Sequence, residues 1–309
     1  MNFKTPMAAH CNISSEMLYP FMKELVNQFH QSGRERTAET YSATLNSFAR
    51  YRKREDIPIC DIDEELIMGY ETYLRECGLS PNSSSFYMRV LRATYNRAVE
   101  RGYTLQRYPF KRVYTGIEKT AKRAISLKQI RKIKTLDLSA TPTLEFARDV
   151  FLFSFYTRGM SLIDIMFLTP GNIANGRLVY TRHKTGQQLS VRWEKCMQEI
   201  VKKHSQGAGH YLLPLIAEPG VDERAQYKKR SSWIGSRLRA IGLMIGLDAP
   251  LTMYVARHSW ASIARSSNIP LSIISEGMGH DSELTTRIYL SALDYRAVDE
   301  ANRRILQML

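Results

Sequence analysis

Apolar residues recur at intervals of three and four from Ser14 to Phe29 and again from Thr37 to Arg54, where Tyr41, Leu45, Phe48 and Tyr51 share one face. Stripes of this period predict two amphipathic helices. Asp61 opens "DIDEELIMGYETYLRECG", with Glu64 three residues on as a capping-box partner and Gly78 as the stop. Ser80 and Pro81 form an N-cap and first-turn pair ahead of "NSSSFYMRVLRATYNRAVERG", which runs to Gly102. These four helices make a small all-α domain over residues 1–105. In its last helix, Arg89, Arg92 and Arg97 are spaced for a basic stripe, either groove-facing or merely solvated.

Pro109 and Gly116 interrupt the pattern, so residues 106–124 read as a linker between two domains. Helix resumes at Ser126 with Gln129 as its capping-box partner, and Thr141–Pro142 opens "TLEFARDVFLFSFYTRG", whose apolar density predicts a central buried helix. "GRLVYTRHKTGQQLSVRW" then carries two alternating runs, Leu178–Arg182 and Gln188–Trp193, around Lys184-Thr185-Gly186. That is a β-hairpin. Helices return from Trp193 onward, "LTMYVARHSWASIARSS" being the most distinctive. Residues 125–309 therefore form a mostly helical second domain with a small antiparallel sheet, and the fold class is mainly α.

Composition narrows the partners. The 309 residues carry 44 Lys and Arg against 30 acids, a net charge of +14. Such an excess favours a polyanion, either nucleic acid or an anionic membrane surface. It concentrates in "RGYTLQRYPFKRVYTGIEKTAKRA" (101–124), where Glu118 is the only acid and four aromatics interleave, and in "RAQYKKRSSWIGSRLR" (224–239). Both suit contacts to a phosphate backbone. No apolar run approaches the roughly 18 to 20 residues that span a bilayer. No signal-peptide core stands at the N-terminus, and Cys11, Cys60, Cys77 and Cys196 are scattered. These features predict a reducing, cytoplasmic setting with no disulfide framework, metal or cofactor.

Several polar residues interrupt apolar surroundings: Arg158 after the buried helix, Lys184 in the hairpin turn, Arg257 and His258 in "ARHSWAS", and His280 and Tyr289 in "GMGHDSELTTRIYL". On its own the last segment is a helix, a turn and a second helix with Tyr289 in the core. One metal-free phosphodiester reaction uses the whole set. A tyrosine hydroxyl attacks phosphorus, arginines bind the non-bridging oxygens and a lysine protonates the leaving oxygen. Planar, permanently charged guanidinium suits the first task, and a lysine of tunable pKa suits the second.

In identity, order and spacing these motifs resemble the tyrosine recombinase (phage integrase) family. "ARHSWAS" is similar to its Arg-His-Thr-Phe-Ala-Thr segment, and "GMGHDSELTTRIYL" to its Leu-Gly-His…Thr-Thr…Tyr segment. "RHKTG" falls where that family has a hairpin lysine. The resemblance covers residues 14 to 300. It implies a SAM-like DNA-binding domain before a catalytic one, and a site-specific recombinase that breaks and rejoins double-stranded DNA at paired half-sites as a tetramer. By that resemblance Tyr289 is the nucleophile forming a 3′-phosphotyrosyl link, Lys184 the general acid, Arg257 the second arginine and His280 a phosphate-binding imidazole. His258 is left to a supporting role. Where the family places histidine, three residues before Arg257, this chain has Tyr254, a poor base near neutral pH. Where the first arginine belongs, relative to Asp164 and Leu168, stands Ser161. Arg158, one helical turn earlier in "RGMS", is expected to supply that guanidinium with Asp164 orienting it, and Arg182 or Arg177 are the next candidates. A type IB topoisomerase would share this chemistry, and a DNA-binding regulator would lack it. The short stretch before the first helix leaves no room for an arm-binding domain. That favours a simple two-domain recombinase such as an invertase or a Xer-like resolvase, although the "RGMS" arrangement resembles a subgroup of mobile-element integrases.

Overall fold

A computed structural model describes residues 16–118, 124–206, 209–280, 282–283, 286–287, 302–303 and 305–308. The chain divides into two compact units, Met1–Thr120 and Ala121–Leu309. Tyr289 lies outside the described residues.

In the first unit, α1 (Leu18–Gln31) packs on α2 (Glu35–Tyr51), and α4 (Pro81–Glu100) on both α2 and α3 (Glu64–Glu76). Phe21, Met22, Phe48, Tyr70, Met88 and Tyr95 are fully buried between them. The expected start of α3 shifts by two residues. Asp63, not Asp61, is the N-cap, its carboxylate accepting from the Leu66 N–H at 2.8 Å. Asp61 closes a short 3-10 turn, Ile59–Asp61. The α4 start is as expected, with the Ser80 side chain accepting from Ser83 N.

The stretch expected to link the domains belongs in part to this unit. Phe110 and Val113 are buried in its core, and Ser85 Oγ donates to Gly116 O at 2.6 Å. Two apolar residues among seven Lys and Arg hid that packing from a reading of charge. The basic stripe on α4 also divides. Arg97 is half-buried with its guanidinium 4.9 Å from the Phe29 ring and 5.7 Å from Tyr41.

The second unit is organised by α6 (Pro142–Tyr156), in which every residue from Phe146 to Ser154 is buried. Burying side chains such as Phe151 and Phe153 stabilises by about 1.5–3 kcal/mol each. Around α6 pack α5 (Leu127–Thr135), α8 (Lys195–Lys203), α9 (Glu223–Met244) and α10 (Met253–Ser266), and α11 (Leu271–Met278) packs on α10. Ser126 and Gln129 form the capping box expected at α5. The short α7 (Leu162–Met166) leads into an antiparallel sheet of β1 (Ile173–Ala174), β2 (Arg177–Thr181) and β3 (Gln188–Arg192) in that order. The two-residue β1 is too short to show in a sequence pattern. Leu178 pairs with Val191 and Tyr180 with Leu189, which puts Leu178, Tyr180 and Val191 on the buried face. The second basic cluster is partly structural. Arg230 donates to the carbonyls of Leu215 and Pro214, and the guanidinium of Arg237 lies 4.0 Å from the Trp233 ring. Among the described residues no helix is long and apolar enough to cross a membrane.

Candidate active site

Two helix ends and one hairpin converge in the second unit. The first end is that of α6. Arg158 N donates to Phe155 O and Gly159 N to Ser154 O, a Schellman closure in which Arg158 itself holds the left-handed position, φ 63°. Glycine is the usual occupant, so an arginine here carries backbone strain of the kind found at functional sites. Ser154 Oγ, donating to Met160 O at 2.7 Å, braces the turn. The half-buried Arg158 side chain then runs past α11. A Cβ on Gly277 would lie 3.5 Å from Arg158 Cδ, 3.9 Å from its Nη1 and 3.3 Å from Trp260.

The second end is that of α11, closed the same way. Gly279 N donates to Glu276 O and His280 N to Ser275 O, with Gly279 at φ 63°. His280 is therefore fixed in position by backbone bonds before its side chain contacts anything. A Cβ on Gly279 would overlap Gln187 Oε1 at 2.7 Å and Leu189 Cδ1 at 2.8 Å, so the hairpin sits directly against this turn. Arg182 Nη1 donates to Gly279 O and ties the two together.

Arg257, on the first turns of α10, is only 9% exposed. Its Nη1 donates to Gly159 O at 3.0 Å and its Nη2 to Met278 O at 2.6 Å, so one guanidinium stitches the ends of α6 and α11. Its Nη2 also lies 3.1 Å from His280 Nε2. Guanidinium only donates, so Nε2 accepts, and the imidazole proton resides on Nδ1, which donates to Thr286 Oγ1 at 2.6 Å. Gly159 admits this arrangement. A Cβ there would stand 2.5 Å from Arg257 Cα and Cγ, at φ 81°.

Asp164 departs from its expected task. Ser161 Oγ donates to its Oδ2 at 2.6 Å, and the backbone N of His183 donates to its Oδ1 at 2.9 Å. The buried carboxylate therefore anchors the turn that carries Lys184 and makes no ion pair with Arg158 among the described residues. Ser161, the N-cap of α7, is held to that carboxylate rather than facing Arg158. Lys184 is exposed at the turn. The Tyr180 phenol beneath the site registers its charges. Burial, then Asp164, push its pKa up to about 12 against the opposing pull of Arg257, Arg182 and Arg158. Tyr254 is 57% exposed, its ring set edge-on to His258 at 4.4 Å. Arg177 is turned away, donating to Ser190 Oγ on the neighbouring strand.

Arg158, Arg257, His280 and the Lys184 turn are thus brought together, joined by Arg182, which the sequence marked only as a fallback. Gly159, Gly277 and Gly279 were not singled out, although a glycine beside each polar outlier is the signal that would have found them. Thr286 was missed because its role exists only through His280.

Two guanidinium groups, those of Arg158 and Arg257, thus stand at the ends of α6 and α11. Residues 17–113 match the phage integrase SAM-like domain. The chain is 20% identical to tyrosine recombinase XerD of Listeria monocytogenes over 274 residues, 85% of this chain and 90% of that one. The fold is that of a lambda integrase tetramer bound to a Holliday junction, with TM-score 0.70 and 15% identity over 89% of this chain and 78% of the other. It is equally that of the Tn1549 transposon integrase in complex with transposon right end DNA, with TM-score 0.69 and 13% identity over 94% of this chain and all of that one, 100%. The chain is thus similar in sequence to a tyrosine recombinase and has the fold of the integrases, with a phage integrase SAM-like domain in its first unit.

Proposed function

We propose that the protein is a site-specific DNA recombinase that acts in the cytoplasm on double-stranded DNA carrying paired half-sites, as a homotetramer in the synapse. The observation that carries this reading is the seat of Arg257, a buried guanidinium held by Gly159 O and Met278 O with His280 against it. These partners fix the guanidinium in place, and it stays charged at any working pH. Arg257 and Arg158 take the non-bridging oxygens of the scissile phosphate and stabilise the charge that accumulates there. The Tyr289 hydroxyl attacks phosphorus and gives its proton to solvent, forming a 3′-phosphotyrosyl bond as the bond to the 5′ oxygen breaks, and Lys184 gives that oxygen its proton. Reversal by the 5′ hydroxyl of a partner strand rejoins the DNA. To donate to the phosphate, His280 Nε2 has to carry the imidazole proton and give up its bond from Arg257, which a change of tautomer achieves with Nδ1 then accepting from the Thr286 hydroxyl. Tyr254, exposed and with its ring turned to His258, serves as a phenol donor at the rim rather than as the base. The first unit supplies sequence-independent and sequence-specific DNA contacts.

The test is a nicked suicide duplex built from the inverted repeats beside the gene. The wild-type chain should form a covalent adduct on a denaturing gel and exchange strands between two duplexes. Tyr289→Phe should fold and bind but form no adduct. Relaxation without strand exchange would indicate a topoisomerase, and an adduct mapped to Tyr254 or Tyr295 would overturn the assignment.

A further inference from the structure

The first unit contains a concavity of about 500 Å³ that the strand-transfer chemistry leaves unused, lined by Arg92, Tyr95, Asn96, Gln106, Tyr108, Pro109, Phe110 and Lys111. Its size lies within the roughly 300–1,000 Å³ typical of small-ligand sites. Tyr95 and Phe110 are buried and form its floor, with ring centroids 6.2 Å apart. The floor is pinned, because Tyr95 Oη donates to Leu105 O at 2.8 Å and accepts from Arg107 N at 3.3 Å. Tyr108 forms the rim and is the anomaly. It is 68% exposed, yet its backbone sits at φ 53°, a conformation that asparagine or glycine adopts more cheaply. The Gln106 side chain holds it there, Oε1 accepting from Tyr108 N at 3.0 Å while Nε2 donates to Asn96 Oδ1 at 3.2 Å. Neither packing nor backbone preference calls for a tyrosine at this position, which leaves the exposed ring as its distinguishing feature. Cations flank it. Lys111 is exposed, and exposed Arg92 gives one nitrogen to Thr115 Oγ1 at 3.0 Å.

A solvent-facing ring over an apolar floor, with amides at the side and cations at the edge, matches one ligand chemistry. We propose that this concavity binds an unpaired nucleotide of DNA, its base stacked on Tyr108 and its phosphates against Arg92 and Lys111. The inference rests on the recombinase reading and extends it: the first unit would hold a base exposed when strands open, in addition to contacting duplex. Stacking tolerates any base, so the site would not select sequence.

The full-length protein is titrated with a short single-stranded oligonucleotide whose only base is one 2-aminopurine, every other residue being abasic, read by its fluorescence, and with the wholly abasic oligonucleotide of the same length, read by an end label. Tyr108→Asn is the informative variant, since asparagine suits φ 53° and the fold should be at least as stable. The wild-type protein should quench the 2-aminopurine and bind the abasic strand about ten-fold more weakly or worse, in line with the stacking energy of one base. Tyr108→Asn should lose that discrimination while its affinity for duplex and its covalent adduct on the suicide duplex stay unchanged. Equal binding of base-bearing and abasic strands by the wild-type chain, or full discrimination by Tyr108→Asn, would overturn the proposal. So would an apolar peptide displacing no oligonucleotide yet protecting Tyr108 from iodination, which would mark a protein-binding surface. A suicide duplex that never yields an adduct counts against the recombinase reading alone, since the stacking assay does not depend on cleavage.

Discussion

Replacing Gly159 by alanine tests how the second arginine is seated. Two costs follow from the structure. At φ 81° an L-residue pays about 1–2 kcal/mol for the left-handed conformation. The new methyl would also stand 2.5 Å from Arg257 Cα and 2.6 Å from its Cβ. Carbon atoms rest about 3.5–4.0 Å apart, so Arg257 or the α6 turn has to move by about 1 Å. Neither is free to yield, because Arg257 is bonded to Gly159 O and Met278 O. A displacement of about 1 Å at a reacting centre costs on the order of 10²-fold in rate. Gly176→Ala is the control. Its φ is 70°, but a Cβ there meets nothing within 4 Å, so it carries the backbone cost without the displacement. In single-turnover cleavage of the suicide duplex at saturating protein, Gly159→Ala should slow roughly 10²-fold, while Gly176→Ala cleaves at the wild-type rate. Denaturant titration should show both destabilised, Gly159→Ala the more. Similar cleavage by the two variants would refute the idea that Gly159 is there to seat Arg257.

Three further outcomes are expected. Arg158→Gly removes the side chain while giving the left-handed C-terminal position of α6 its preferred residue. Stability should hold or rise while cleavage falls about 10²-fold to 10³-fold with little change in DNA affinity, as for loss of one oxyanion donor; near-normal cleavage would pass the role to Arg182. Because the site's own guanidinium and ammonium groups supply the charge, cleavage should persist in excess EDTA, and loss on chelation restored by Mg²⁺ would count against the mechanism. Away from the site, Asp149 is 3% exposed. Burial pushes its pKa up, but hydrogen bonds from His204, Lys203 and Arg148 outweigh that and hold it at about 2. Its folded pKa thus lies below the unfolded value of about 3.9, so its contribution is complete at neutral pH and lost as pH falls from about 5 towards 2, roughly 2.5 kcal/mol in all. Urea titrations across that range should show the loss, and in Asp149→Asn the slope should flatten; an unchanged slope would mean another carboxylate dominates.

Most of the secondary structure was legible because its signals are local. Ser80–Pro81, Ser126 with Gln129, and Thr141–Pro142 mark helix starts through bonds that span three or four residues, and the alternating runs around Lys184 mark a hairpin on the same scale. Arg257 and His280 stood out for a related reason: a charged or imidazole side chain within apolar surroundings costs free energy that only a partner or a function offsets. Asp61 was mistaken for the cap because two aspartates, Asp61 and Asp63, offer the same oxygen, and only the backbone geometry chooses Asp63. What sequence could not supply was any relation across long separations. That Asp164 serves the hairpin turn and not Arg158, that Arg182 reaches Gly279, and that Phe110 and Val113 fill the first unit's core all depend on how helices pack. Arg257 meets Gly159 across 98 positions and Met278 across 21. Periodicity reports which face of a helix is buried, but not which neighbour buries it. Arg158, Arg257 and His280 were therefore legible in the chain as polar residues out of place, while their meeting was decided by the tertiary packing of α6, α10, α11 and the hairpin.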